Sequence, residues 1–398
     1  MLIGVVGKPS AGKSTFFKAA TMADVAIANF PFTTIKANHA ISYVKIDCVC
    51  KEFGKQCNPR SGWCVNGKRF VPVDLLDVAG LVPGSHKGEG MGLQFLSDLN
   101  QADVLIHIID ISGSVDADGK SVQPLSYDPL NDVEFLEKEL DYWYLDIIKR
   151  GWGSFSRTVK MTAKEPYKEI AKQLSGLGVT EAHVQDSLKK LNLVQEKLTG
   201  WTESDLLNLS RELRILTKPM LIAANKIDIE EAEKNYQRLK EKYPNYIVIP
   251  CSGDYEIALR SLAKKEIIEY QPGEGQFKVK DDSKLNSAQK HGLEKIKKFL
   301  DKFGSTGVQE VLNTAVFKLL KYKAIFPGGV SKLEDSQGRV LPDCFLMPEK
   351  ATAIDFAFKL HTDFGNNFVK AIDVKTKLPV GRDHILKHRD VVEIMSRK

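Results

Sequence analysis

At 398 residues, with 43% hydrophobic and 27% charged, the chain has the composition of an ordinary soluble globular protein of two or three domains. No run approaches the roughly 18–20 uncharged apolar residues of a membrane helix, and nothing ahead of the first apolar run reads as a leader, so no membrane partner and a cytoplasmic location are expected. The formal net charge of +6 permits a polyanionic partner without requiring one, and no DNA specificity is evident.

Residues 2–7 read as a short buried strand ending in glycine. They lead into Gly7-Lys8-Pro9-Ser10-Ala11-Gly12-Lys13-Ser14, then Thr15 and a helix-forming run. That is the full phosphate-loop pattern between a strand and a helix: glycines admit phosphate oxygens to the backbone, Lys13 reaches the β- and γ-phosphates, and the Ser14 hydroxyl ligates Mg²⁺. Asn29-Phe-Pro-Phe-Thr33-Thr34 follows, the natural place for a threonine that completes Mg²⁺ coordination when a γ-phosphate is present; Thr34 is favoured over Thr33. Cys48, Cys50, Cys57 and Cys64 stand in a Gly/Pro/Asn-rich segment. Four thiolates suit a structural Zn²⁺, but the spacing is not that of the usual knuckle, and disulfides or free thiols remain open. No histidine or acid pattern accompanies them, so a catalytic cysteine is not expected.

A strand at 71–77 ends in Asp77-Val-Ala-Gly80. Asp77 is expected to hold Mg²⁺ through water, and the Gly80 amide to meet the γ-phosphate and sense its loss. Leu81 follows where a water-orienting glutamine often stands; His86 and His107 are the alternative water-positioning candidates, each of which also reads as a plain solvated or core imidazole. Further strands are expected at 103–110, 219–224 and 246–251, giving a mostly parallel sheet with helices on both faces. The long helix-favouring stretch 129–216 exceeds one crossover and reads as an inserted helical hairpin, with helical runs at 132–149 and 181–215. After strand 219–224 comes Asn225-Lys226-Ile227-Asp228. The Asp228 carboxylate can accept the ring N–H and the exocyclic amine of guanine, which adenine cannot offer. Ser252-Gly253-Asp254 follows the next strand, where a backbone amide meets the guanine O6. Helices resume from about 286 to 323, Phe326-Pro-Gly-Gly329 breaks the chain, and the remainder reads as a small α+β module.

With these phrases in view, and with Asp77-Val-Ala-Gly-Leu-Val-Pro-Gly84 running on through Gly88-Glu-Gly-Met-Gly92 to Gln94-Phe-Leu96, the chain resembles the Obg/YchF group of translation-factor-type GTPases. Its end, Gly381, Leu386 and Arg389-Asp-Val-Val-Glu-Ile394, resembles a TGS domain of β-grasp type. The resemblance implies an α/β P-loop G domain over 1–128 and 217–325, a helical insert over 129–216 and a TGS-like domain over 326–398. YchF members typically lose the Asn-Lys-x-Asp element and accept ATP; here it is intact, so GTP is expected. Ser10 stands where the family usually has Asn, which puts potassium stimulation in doubt.

The expected activity is slow hydrolysis of GTP to GDP and phosphate with Lys13, Gly80 and Thr34 as catalytic groups, Mg²⁺ on Ser14, Thr34 and Asp77, and a ribosome or RNA as partner. The competing readings are a P-loop metabolic enzyme with an acceptor site, or a nucleotide-stabilised scaffold with negligible turnover.

Overall fold

Runs that are apolar at every position need cover on both faces, and this chain supplies several. The computed structural model describes residues 1–21, 38–78, 92–162 and 164–397. Its strands are β1 (Leu2–Val6), β2 (His39–Asp47), β3 (Trp63–Val65), β4 (Lys68–Asp77), β5 (Val104–Asp110), β6 (Met220–Asn225), β7 (Val248–Pro250), β8 (Ile268–Glu269), β9 (Lys278–Val279), β10 (Lys323–Pro327), β11 (Phe345–Met347), β12 (Phe368–Asp373), β13 (Leu378–Val380) and β14 (Val391–Ser396). The chain divides into two units, Met1–Ala19 with Leu75–Val311 and Ala20–Asp74 with Leu312–Lys398.

In the first unit β1, β5, β6 and β7 lie side by side, every pair parallel. Every residue of β5 and β6 is buried, as a parallel sheet covered on both faces requires. The α-helices of this unit are α1 (Lys13–Thr21), α2 (Gly92–Gln101), α3 (Leu130–Lys149), α4 (Trp152–Met161), α5 (Pro166–Gln173), α6 (Glu181–Lys190), α7 (Glu203–Thr217), α8 (Ala232–Lys242), α9 (Gly253–Lys264) and α10 (Ser287–Phe303), with α11 (Val308–Asn313) at its end. One core joins Val6, Leu76 and Leu105 to Leu99, Leu136, Tyr144 and Leu209; another joins Ile109, Ile222 and Ala224 to Tyr236, Leu259 and Phe299.

Among the described residues the stretch 130–217 holds a long pair, α3 and α7, with three shorter α-helices between them. Lys149 at the end of α3 meets Glu203 at the start of α7, and Asp141 meets Arg214, so the pair runs antiparallel. The run 181–215 is not one helix. It stops at α6, Asn192 adopts a left-handed φ of 54°, and Thr202 restarts the chain as N-cap of α7 in a reciprocal box with Asp205.

In the second unit β2 and β3 both pair with β4, β3 antiparallel to it. A five-stranded sheet in the order β11-β10-β14-β12-β13 packs on α12 (Ala353–Leu360), with α13 (Thr362–Asn366) following it, and has a core of Ile325, Phe356, Ala371 and Val392. The anticipated break at Phe326-Pro-Gly-Gly329 is the end of a strand: Ala324, Ile325 and Phe326 are buried in β10, and the glycines begin the turn. No described helix is long and apolar enough to cross a membrane.

Candidate nucleotide-binding site

The loop between β1 and α1 closes so tightly that side chains are excluded at both ends. A Cβ on Gly7 would lie 2.4 Å from the Ile108 carbonyl oxygen, and one on Gly12 would lie 2.2 Å from Asn225 Nδ2; both glycines have positive φ, 153° and 93°. Pro9, Ser10 and Ala11 span the crest, where the Ser10 hydroxyl donates to the Gly119 carbonyl at 2.8 Å. Lys13, Ser14 and Thr15 open α1, so its N-terminal amides face the loop.

Asn225, 2% exposed at the end of β6, joins this loop to the loop at Gly253. Its Nδ2 donates to the Ala11 carbonyl at 3.1 Å and its Oδ1 accepts from the Gly253 amide at 3.1 Å. Lys226 takes a left-handed φ of 61° and donates through Nζ to Asp110 Oδ2 at 3.0 Å, at the end of β5. Burial holds the Asp228 carboxyl above the usual aspartate range, opposed by a hydrogen bond from Ser252, with the Asp254 charge adding to the rise. A cleft opens beside Asp228 between Ile227, Tyr255, Phe299 and Lys298. Ser252 caps α9 by accepting from the Tyr255 amide at 3.3 Å, and Gly253 lies against Thr15 and Phe16 of α1. Asn225, Lys226, Asp228, Ser252 and Gly253 are therefore gathered with the phosphate loop at the carboxyl ends of the strands, where ligands of open parallel sheets bind.

On the phosphate side, burial pulls the Lys13 ammonium below the usual lysine range while the Asp77 charge opposes the fall; burial likewise lifts the Asp77 carboxyl, opposed by Lys13. Asp77 Oδ1 is buried with no hydrogen-bond partner among the described residues. An orphaned carboxylate oxygen beside the phosphate-loop lysine suits a hydrated divalent cation, so the donor set fits Mg²⁺. Thr33, Thr34, Gly80, Leu81 and His86 lie outside the described residues. His107 lies within β5, 2% exposed, with its Cα opposite Val6 and Ile222. Burial pushes its imidazole down to about 3, which keeps it neutral. That is a core position.

Sequence reasoning missed what surrounds Lys8. Its side chain is 5% exposed; Nζ donates to the Val115 carbonyl at 2.8 Å, pairs with Asp132 of α3 at 3.0 Å and lies 3.6 Å from the Tyr127 ring centroid. The loop's first lysine thus anchors the loop. Nothing local in the sequence marks Asp132 as its partner.

In the second unit the Sγ atoms of Cys48, Cys50, Cys57 and Cys64 all lie within 4.8 Å of one another, and none is in a disulfide. This cluster is compatible with a metal site.

Comparison with known proteins agrees with this geometry. Residues 2–138 match the family model described as a 50S ribosome-binding GTPase, 223–329 that of an Obg-like GTPase, YGR210-like, G4 motif-containing domain, and 337–396 the TGS domain. An uncharacterized GTP-binding protein of Methanocaldococcus jannaschii is 46% identical, with 99% of each chain covered. A GTP-binding protein of Pyrococcus horikoshii superposes with a TM-score of 0.78 at 40% identity over 100% of both chains. The YchF GTPase of Schizosaccharomyces pombe, 18% identical, shares the fold at a TM-score of 0.59 over 99% of this chain and 97% of that one. The chain belongs to the Obg-like GTPases of the YchF family, with a guanine-nucleotide-binding G domain and a C-terminal TGS domain.

Proposed function

We propose that the protein is a slow GTP-hydrolysing switch that acts on ribosomes or RNA. The observation that carries the guanine reading is the Asn225 side chain, bonded at once to Ala11 of the phosphate loop and to Gly253 of the base loop. That bridge ties the two loops together next to Asp228, which supports reading them as the two ends of one nucleotide site.

In this reading the Asp228 carboxylate accepts the two guanine donors, and an adenine base leaves it unpaired. Lys13 and the loop amides hold the β- and γ-phosphates, and Ser14, Asp77 and Thr34 hold Mg²⁺. When bound, the cation neutralises charge on the transferred phosphoryl group. The Gly80 amide meets the γ-phosphate, so its loss releases the segments carrying Thr34 and Gly80. Leu81 has no polar group to orient water, which keeps turnover slow until a partner arrives. The domain reading, with a G domain over 1–128 and 217–325, assigns output to the helical stretch 129–216 and to the TGS-like region from 326.

Phosphate release measured with and without ribosomes tests the reading, alongside co-sedimentation with ribosomal subunits in GDP and in a non-hydrolysable GTP analogue. Nucleotide-dependent association and accelerated release are expected. Phosphate transfer to a small acceptor, or binding without turnover under every condition, overturns it.

A further inference from the structure

We propose that Cys48, Cys50, Cys57 and Cys64 bind one Zn²⁺ as a closed tetrathiolate whose charge is balanced by the buried Arg69, and that this centre fastens the segment 48–67 to residues 334–343. All of these groups lie in the second unit.

The sulfur positions fit a tetrahedron. A Zn–S bond of about 2.3 Å places sulfurs about 3.8 Å apart. Cys48 and Cys57 are 3.6 Å apart, Cys50 and Cys64 are 4.0 Å apart, and no pair exceeds 4.8 Å. Cys48, Cys50 and Cys57 are buried, so a metal there is shielded from exchange. Soft thiolates select zinc over the hard cation of the nucleotide site, and four protein ligands leave no open position for chemistry. The site is structural.

Arg69 supplies the second, independent argument. Its side chain is among the largest fully buried ones, 1% exposed. Nη1 donates to Cys57 Sγ at 3.6 Å and to the Leu341 carbonyl at 3.0 Å; Nη2 donates to the Pro342 carbonyl at 2.9 Å. No carboxylate pairs with it among the described residues, and a buried guanidinium without a counter-charge is strongly unfavourable. Four neutral thiols would leave it so. A zinc tetrathiolate carries two negative charges, and an N–H donor to one of its sulfurs is the outer-shell partner such centres use.

The same region shows what the centre holds in place. The Asn58 amide donates to the Val340 carbonyl at 2.9 Å and the Arg60 amide to that of Pro342 at 2.8 Å; Lys55 pairs with Glu334 at 2.6 Å and Arg60 with Asp335 at 3.3 Å. The segment 54–67 contributes few apolar residues of its own, so the metal replaces the core it lacks.

The test uses the full chain purified without chelator. Elemental analysis should find one zinc per chain, released by an organomercurial as four thiols are titrated, and Co²⁺ exchanged into the protein should give the d–d absorption of a tetrahedral tetrathiolate. Cys57→Ser should lose the metal. Arg69→Met should keep the four ligands but hold zinc about 10–100-fold more weakly against a chelating dye. GDP affinity should be unchanged in both variants. If Cys57→Ser fails to fold, the metal content and cobalt spectrum of the unmodified chain decide the matter alone. A metal-free chain with four titratable thiols, a chain four hydrogens lighter from two disulfides, or iron in place of zinc overturns the proposal. Unchanged zinc affinity in Arg69→Met overturns the charge-balancing role.

Discussion

Asn225→Ala tests whether the phosphate loop and the base loop are held as one piece. The substitution removes the donor to Ala11 and the acceptor for Gly253, two hydrogen bonds of 3.1 Å between buried groups, and leaves both backbone atoms without their partner. Each orphaned buried group costs roughly 1–3 kcal/mol, so the nucleotide-free protein should lose on the order of 2–6 kcal/mol. For a unit of this size that corresponds to a melting shift of roughly 4–12 °C. Because both loops contact the nucleotide in the proposed reading, the GDP dissociation constant should also rise at least about tenfold, or ~1.4 kcal/mol. The assays are thermal unfolding without nucleotide and equilibrium titration of a fluorescent GDP. Lys13→Ala is the informative control: it takes a partly desolvated lysine away from the phosphates, so it should weaken binding severely without lowering the nucleotide-free melting temperature. If Asn225→Ala melts like the parent and binds GDP within about twofold of it, ~0.4 kcal/mol, the bridge carries no strain and the reasoning fails.

Asp228→Ala should cost on the order of 2–4 kcal/mol in GDP affinity while leaving weak ATP binding unchanged, because in the proposed reading the carboxylate accepts two charge-assisted hydrogen bonds from guanine; competition titrations with the two nucleotides read this directly. Burial already lifts the Asp228 carboxyl, and guanine donors favour its ionised form, so GDP affinity should fall as pH drops toward a point above the ordinary aspartate range. The difference between the parent and Asp228→Asn should shrink over the same interval; a pH-independent difference speaks against the pairing. Lys8→Met strands the Asp132 carboxylate and should destabilise the protein by roughly 3 kcal/mol near neutral pH. Since a carboxyl with a raised folded pKa penalises folding only where the unfolded group is ionised, that deficit should diminish as pH falls toward the ordinary aspartate range, which denaturant unfolding at two pH values checks. In the TGS region, replacing the exposed Lys370, Lys377 and Arg382 by glutamate should weaken RNA or ribosome association and lower its salt slope by about 0.7–0.9 for each phosphate no longer neutralised; an unchanged salt dependence in co-sedimentation moves the output to the helices between β5 and β6.

What the sequence disclosed divides along a physical line. The gathering of Gly7 to Ser14 with Asp77 and Asn225 to Asp228 was legible because each is a short contiguous segment in which each residue type has one chemical reason to be there. The buried strands β5 and β6 were legible because a two-sided sheet leaves no polar alternation to misread. The parts that stayed hidden are settled by residues far away in the chain. Residues 370–389 carry eight basic side chains, a run that by composition alone suits one solvated or phosphate-binding face, yet Lys375 and Arg389 are both drawn to the Glu52 carboxylate, and His388 accepts from the Ala324 amide. The effective basic face is smaller than its composition, and that is why the charge-reversal test above leaves those three alone. Deleting everything from Phe326 onward, the obvious truncation from sequence, would take the Leu341 and Pro342 carbonyls from Arg69 and leave its guanidinium with only the Cys57 sulfur as partner. Such a deletion confounds the loss of a binding face with the unfolding of residues 48–70, whereas point substitutions at Lys370, Lys377 and Arg382 change the surface charge and leave every buried partner in place.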